Sequence, residues 1–359
     1  MSNYKRVYPI LDDSLLILGP RGVGKSTFVE DQIKPDLSLD LLNAKTYRKL
    51  SLDPSSLEEL VAPLKKNQIV FIDEIQKIPA LLDEVHRLIE SKKIKFIMTG
   101  SSARKLKRGG ANLLAGRALG LKMYPLTLHE LVDYKINDVL KYGTLPSVFK
   151  KGKAIEEYLY SYVENYLKEE IFLESLSRNL NRFSLFTQAA GQYHGQILNY
   201  ENISREIGLS GDTINSWFQI LEDTLVGSRL SAYTPGAFKR ENKHPKFYWF
   251  DSGVAWATTG NNFDEIPAEY KGYQFEALIL NELRTYFEVS RKKYEIMYFA
   301  VPQIGDIDFI IRTRRKTLSQ PEQIVTIEVK SSAKLKNGFD KMNQALAEKI
   351  PQKIKAQFA

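Results

Sequence analysis

Gly19-Pro20-Arg21-Gly22-Val23-Gly24-Lys25-Ser26-Thr27 follows directly on an apolar run, Leu15-Leu16-Ile17-Leu18. The nine residues fit G-x-x-x-x-G-K-[ST], and strand, glycine loop and helix in that order are the setting in which this pattern cradles phosphates. The glycines let backbone N–H groups close around an anion. The helix beginning near Lys25 turns the positive end of its dipole toward the same point. On this reading Lys25 reaches the β- and γ-phosphates of a nucleoside triphosphate and the Ser26 hydroxyl ligates Mg²⁺. An ordinary Gly-rich strand–helix turn is the bland alternative, and the complete pattern behind an apolar strand argues against it.

Working outward, Thr27 to Ile33 reads as a helix stopped near Pro35, Tyr47 to Leu52 as a short strand, and Ser55 to Glu59 as the start of a capped helix with acids in its first turn. Ile69-Val70-Phe71-Ile72-Asp73-Glu74 is four apolar residues ending in two carboxylates. That is the pattern of a buried parallel strand with acids at its C-terminal tip, the edge where open α/β sheets bind ligands. Asp73 is the expected Mg²⁺ partner, and Glu74 the candidate base for an attacking water. Ala80 to Ser91 reads as a helix with Leu81, Val85, Leu88 and Ile89 on one face, and Lys95 to Gly100 as a further buried strand. Thr99 at its tip is either a contact to the γ-phosphate or water, or a simple strand end. A strand inserted between the loop strand and the Asp-Glu strand suits the branch of ATPases that includes AAA+ proteins and helicases. Ser101 to Gly110 carries Arg104, Lys105, Lys107 and Arg108, either a solvated charge run or a nucleic-acid contact. Arg117 precedes a strand over Ala118 to Met123 and is a candidate to neutralise γ-phosphate charge, in cis or across a subunit interface, with a structural salt bridge as the alternative.

Composition bounds the rest. With 359 residues, more than one domain is expected. An apolar content of 43% is that of a soluble globular protein, and the absence of cysteine removes disulfides and cysteine-bound zinc. No apolar run approaches the roughly 20 residues needed to span a bilayer, and the N-terminus leads into no signal-peptide core, so a cytoplasmic protein without a membrane partner is expected. The net charge of +8 permits an anionic partner such as DNA without requiring one.

The segments GPRGVGKST (19–27), FIDEIQKIPAL (71–81), TGSSARKL (99–106), LAGRALGLKMYPLTLHEL (114–131) and YGTLP (142–146) together resemble a widespread family of bacterial and archaeal AAA+-type ATP-binding proteins. In that family the ATPase domain is joined to a C-terminal domain of unknown function that resembles PD-(D/E)xK nucleases. The likeness runs over essentially the whole chain. It implies ATP and Mg²⁺ as cofactors, places Asp73, Glu74 and Arg117 in the nucleotide site, and allows a homo-oligomer. The expected architecture is α/β: a P-loop NTPase with an AAA+-like parallel sheet (1–135), a helical lid and winged-helix region (136–240), and a restriction-endonuclease-like α/β domain (241–359).

In the middle region, Ile155 to Ser177 reads as a long helix. Ile203 to Leu209 and Asp212 to Asp223 read as a helix pair, with Ile214, Trp217, Phe218 and Leu221 on one buried face, followed by a β wing over Val226 to Tyr233. No Lys or Arg lies between Arg205 and Arg229, which argues against DNA reading by the second helix, although Thr213, Asn215, Ser216 and Gln219 would suit bases.

In the last region, alternation sends Ile307, Phe309 and Ile311 one way and Asp306 and Asp308 the other, and sets Glu328 and Lys330 opposite Ile327 and Val329. Asp308, Glu328 and Lys330 then share a face as a D…E-x-K constellation able to hold Mg²⁺ and activate water, with Glu276 on a helix as a further ligand implied by the resemblance. A strand pair with solvated charges is the alternative. Arg312 to Lys316 is a basic stretch, either a phosphate grip or an exposed turn. The function expected is ATP hydrolysis coupled to the nuclease-like domain. The rivals are a metal-dependent DNA-processing nuclease regulated by ATP, and a non-hydrolysing nucleotide switch.

Overall fold

The structure, a computed structural model, describes residues 4–101, 106, 116–171, 180–234, 244–301, 305–317, 319–330 and 354–355. The basic loop with Arg104, Lys105, Lys107 and Arg108, and the end of the long helix beyond Ile171, lie outside the described residues. The chain divides into two units: Met1–Asp133 with Thr144–Lys150 and Asp223–Val226, and the remainder.

The first unit is built on β1 (Leu15–Leu18), helix α1 (Lys25–Phe28), β2 (Leu37–Asp40), α2 (Ala44–Leu52), α3 (Leu57–Leu60), β3 (Ile69–Asp73), α4 (Leu81–Lys92), β4 (Lys95–Gly100) and β5 (Leu119–Lys122). The five strands form one parallel sheet in the order β2-β3-β4-β1-β5. This sheet with its helices fits the α/β P-loop NTPase fold. Leu15, Ile17, Val70, Ile72, Phe96 and Met98 are completely shielded from solvent, as expected of strands covered on both faces. Each such side chain contributes about 1.5–3 kcal/mol. In α4, Leu81, Val85 and Leu88 are buried along one stripe and join the core made by the sheet.

Residues 47–52 are helical, not a strand. Asn43 caps α2, its Oδ1 accepting from Lys45 N at 3.0 Å and Thr46 N at 3.2 Å. Tyr47 and Leu50 stand at i and i+3, a helical spacing, and only Leu50 is buried. The strand that lies between β1 and β3 in the chain is instead β2, at the sheet edge, and the strand between them in space is β4.

The second unit contains α5 (Ile136–Tyr142), α6 (Ile155–Ser161), which continues in wider π-type turns to Ile171, α7 (Leu180–Gln192), β6 (Gln196–Ile197), α8 (Tyr200–Ile207), α9 (Gly211–Asp223), β7 (Gly227–Leu230) and β8 (Lys246–Trp249). Ile214, Trp217, Phe218 and Leu221 of α9 are all buried. Strands β6, β8 and β7 pair antiparallel in that order. Beyond them come α10 (Ser252–Thr258), α11 (Ala268–Ser290), β9 (Glu295–Val301), β10 (Gly305–Arg314), β11 (Gln323–Ile327) and β12 (Ile354–Lys355), the last four forming a sheet in the order β12-β11-β10-β9.

The even alternation expected along β10 is broken. The register against β9 shifts between Ile307 and Ile310. Ile307 and Ile310 therefore pack together with Met297, Phe299 and Ile324, whereas Phe309 and Ile311 pack on Ala277, Leu280 and Phe287 of α11. A bulge of this kind re-aims a side chain at the point where the ladder is interrupted. Here the residues inside the irregularity are Asp308 and Phe309.

Candidate nucleotide site

The glycine loop leaves the C-terminal end of β1. Gly22 and Gly24 adopt φ of 84° and 89°, the left-handed region that costs an L side chain most. Gly19 admits no Cβ, which would lie 2.3 Å from the Met123 carbonyl oxygen. Gly24 caps α1, and the buried Lys25 turns back so that Nζ donates to the carbonyls of Gly19 (2.8 Å) and Pro20 (2.9 Å). Arg21 and Thr27 are exposed, and Pro20 and Val23 are buried.

Parallel pairing sets β4 between β1 and β3, with Ile17 opposite Thr99 and Ile72 opposite Met98. Asp73 and Thr99 therefore emerge side by side at the edge that carries the loop. Ser26 Oγ donates to Asp73 Oδ2 at 2.7 Å, and the fully buried Thr99 hydroxyl donates to Asp73 Oδ1. Glu74 N donates to Thr99 Oγ1 at 3.4 Å. Glu74 itself sits at φ 60°, ψ 43°, a left-handed conformation that costs a residue of this type about 1–2 kcal/mol. Gln76 Nε2 donates to the Glu74 carboxylate and, at 3.0 Å, to Ser101 Oγ.

Behind the loop, Arg6 is almost completely buried. Its Nε is 2.9 Å from Glu130 Oε1, and its Nη atoms donate to the carbonyls of Val23 and Tyr124. Glu130 also accepts from Val7 N at 2.7 Å and Thr127 N at 2.8 Å. Arg117 is not brought to its own loop. Leu15 pairs with Leu119 and Leu18 with Lys122, so Arg117 precedes the end of the sheet opposite the loop, about 10 Å or more away, and binds Glu90 at 2.6 Å.

Residues 12–132 match the family model described as "AAA domain". With the strand order, this match supports an AAA+ P-loop family. After the AAA domain, residues 133–265 match a second model, described as a domain of unknown function, DUF8612. The chain is 22% identical over 306 residues to an uncharacterized protein of Mycobacterium tuberculosis, covering 83% of this chain and 67% of that protein. It is 23% identical over 345 residues to an uncharacterized protein of Methanocaldococcus jannaschii, covering 85% and 73%. Among solved structures it is similar to the Aeropyrum pernix ORC1 protein in complex with DNA, at TM-score 0.26 and 11% identity over 70% of this chain and 87% of that one. A DNA polymerase III gamma subunit-related protein of Thermotoga maritima gives TM-score 0.22 and 10% identity, covering 76% and 95%. Likenesses this weak say nothing of function. Among the described residues no helix is long and apolar enough to cross a membrane.

Outside the AAA domain, Glu276 and Asp308 meet a lysine and a tyrosine that the motif reading passed over, and the paired Glu328 and Lys330 lie near the same carboxylates. Lys246 Nζ lies 2.6 Å from Glu276 Oε2 and 3.9 Å from Asp308 Oδ1, and Tyr248 OH donates to the same Glu276 oxygen at 2.6 Å. β11 ends at Ile327, and Val329 N donates to Asp308 Oδ2 at 2.7 Å in place of a ladder bond. Lys330 pairs with Glu328 Oε1. Burial, then the charges of Glu276 and Glu328, push the Asp308 carboxyl up to about 8. Burial also raises Glu328, against the pull of Lys330. The signal available in sequence was Lys246 itself, an ionisable residue opening the apolar run Phe247-Tyr248-Trp249 and in phase with Tyr248.

The polar face of α9 is occupied from within. Arg229 of β7 donates to Asn215 Oδ1 (2.5 Å), Gln219 Oε1 (2.8 Å) and Glu222 Oε2 (2.5 Å from Nη2), and Thr213 is engaged by Ser210. In the basic stretch, Arg312 pairs with Glu295 and Glu322, and Arg315 also meets Glu295, so part of its charge is neutralised within the hairpin.

Proposed function

We propose that this chain hydrolyses ATP with Mg²⁺ at residues 19–27, Asp73 and Glu74. The observation that carries the reading is the hydrogen-bonded series Ser26–Asp73–Thr99 with the left-handed Glu74 beside it. A hydroxyl and a carboxylate held together are a hard-oxygen donor pair, and Mg²⁺ is commonly held by one carboxylate and substrate phosphates. A loop whose glycines take positive φ suits the phosphates. The bound cation would neutralise charge on the phosphate oxygens. Lys25 would add its ammonium to the same oxygens. Thr99 fixes the rotamer of Asp73, and Glu74, steadied by Gln76, is placed to orient and deprotonate a water. ATP turnover tests this: Lys25→Ala is expected to lose binding, and Glu74→Gln to bind ATP with little turnover. Nucleotide held by the unmodified chain without turnover would replace the reading with a binding switch.

Arg117 lies away from its own loop, so any contact with γ-phosphate would be made to a second copy. Its 2.6 Å contact with Glu90 fits a structural salt bridge, and a homo-oligomer that would carry it to a neighbouring loop is tested by mass in solution with and without ATP. The three helices α7, α8 and α9 with strands in the order β6-β8-β7 support a winged-helix reading of the middle region. Because Arg229 engages Asn215 and Gln219, we read this element as a packing module and not as a reader of DNA bases. The helix α11 against the β9–β12 sheet, with Glu276, Asp308, Glu328 and Lys330 near one another, supports a PD-(D/E)xK-like fold for the last domain. Its residues do not fit a divalent cation. Among the described residues no three His, Asp or Glu side chains are grouped to hold a metal, and an ammonium stands between Glu276 and Asp308.

A further inference from the structure

The misfit between the last domain's carboxylates and a metal centres on Lys246. This residue is 5% exposed, buried as deeply as Asp308. A lysine is almost never buried to this degree unless its charge is paired. Here its ammonium lies 2.6 Å from Glu276 Oε2 and 3.9 Å from Asp308 Oδ1, bridging the carboxylate carried by α11 and the one carried by the bulged β10. Three of the surrounding oxygens are committed to protein partners: the Lys246-bound oxygen of Glu276 to Tyr248 OH as well, Asp308 Oδ2 to the Val329 N–H, and Glu328 Oε1 to Lys330, while Glu328 Oε2 is buried without a hydrogen-bond partner. A hard cation such as Mg²⁺ takes oxygen ligands at about 2.0–2.1 Å in a near-octahedral set. It would have to displace a buried ammonium from the same carboxylates.

We propose that Lys246 is a built-in cation occupying the place of a divalent metal among Glu276, Asp308 and Glu328, so that this domain binds no metal there as folded. Its corollary is that removing the ammonium alone opens a divalent-cation site. Lys246→Met leaves Glu276 and Asp308 as neighbouring acids without their shared cation, and a divalent ion then restores the balance. The proposal is independent of the nucleotide reading, since every residue it uses lies outside the AAA domain.

The test uses the full chain without nucleotide and Mn²⁺ as the probe, followed by electron paramagnetic resonance titration and by thermal melting. In the unmodified chain, Asp308→Asn is expected to leave Mn²⁺ binding unchanged. Lys246→Met is expected to melt lower without metal, to bind additional Mn²⁺ and to rise in melting temperature with it. Both metal effects are expected to vanish in Lys246→Met/Asp308→Asn. Lys246→Gln, which keeps a donor toward Glu276 while removing the charge, carries the same expectation should the methionine variant not fold. Asp308-dependent Mn²⁺ binding in the unmodified chain overturns the proposal. So does its absence from a folded Lys246→Met or Lys246→Gln chain. The wild-type comparison with Asp308→Asn reads out whatever the folding of the lysine variants.

Discussion

Ser26 and Asp73, 47 residues apart in the chain, are joined by a hydrogen bond of 2.7 Å from Oγ to Oδ2. The first follows the strand β1 and the second ends β3, and they meet because β4 alone separates those strands in the sheet. Asp73 also accepts from Thr99, so both of its oxygens are oriented by hydroxyls. A hydroxyl can donate or accept, so Asp73→Asn is expected to keep the fold and this geometry while losing the charge. The expected outcome is a melting temperature close to the parent with Mg²⁺-dependent ATP turnover nearly abolished. Unchanged turnover would remove Asp73 from the metal role.

Glu74 and Gln76 separate chemistry from positioning. Loss of a general base costs about 10²–10⁴-fold in rate, so Glu74→Gln is expected to reduce kcat by that order with ATP still bound. Gln76→Ala removes the donor that holds the Glu74 carboxylate and ties it to Ser101. Its expected effect is a smaller fall in kcat with little change in KM, because the base survives but its orientation is lost. Steady-state kinetics on the two single variants and the double variant decide this. If Gln76 acts through Glu74, its substitution adds nothing once Glu74 is gone.

The buried pair Arg6–Glu130 supports the loop from behind. Breaking such a pair on one side leaves an uncompensated buried charge and costs about 3–5 kcal/mol. Arg6→Met is expected to destabilise by that order in denaturant melts, and Arg6→Met/Glu130→Gln to recover part of it. Because Arg6 also holds the Val23 carbonyl inside the loop, nucleotide affinity is expected to fall even where the chain remains folded.

What was readable in the sequence is what repeats a strong local pattern. The runs Leu15–Leu18, Ile69–Asp73 and Lys95–Gly100 are apolar enough to name their strands, and the residues at their tips name the site. β2 escaped notice because an edge strand needs little apolar content: of Leu37 to Asp40, only Leu39 is buried. Residues 47–52 read as a strand because Leu50-Ser51-Leu52 alternates, yet Leu52 is exposed, and the helical spacing of Tyr47 and Leu50 and the cap at Asn43 point to α2. Gln76 and Lys246 act by reaching across strands, and no spacing along the chain announces that. The bulge at Asp308 follows from pairing with β9, which period-2 alternation within one strand does not contain.

His194 supplies a pH dependence with a definite sign. It is completely buried, its Nδ1 accepts from Trp249 N at 3.1 Å, and burial, with a lesser push from the Lys246 charge, lowers it to about 3. Unfolded, it titrates near its ordinary value of about 6.5. A group whose folded pKa is depressed gives its full stability above the unfolded value and loses it as pH falls toward the folded one. Between about 6.5 and 3 the unfolded chain binds the extra proton, so this residue lowers stability by about 1.4 kcal/mol per pH unit across that window. Asp308, raised to about 8, slopes the opposite way between 8 and its unfolded value. The two are separated by comparing variants and not by the parent curve alone. His194→Asn retains an acceptor for Trp249 N but no titrating ring. Its melting temperature is expected to fall less than that of the parent as pH is lowered from 6.5 to 5, with the two curves parallel above pH 7. Parallel curves throughout would mean that His194 titrates in the fold as it does in the unfolded chain.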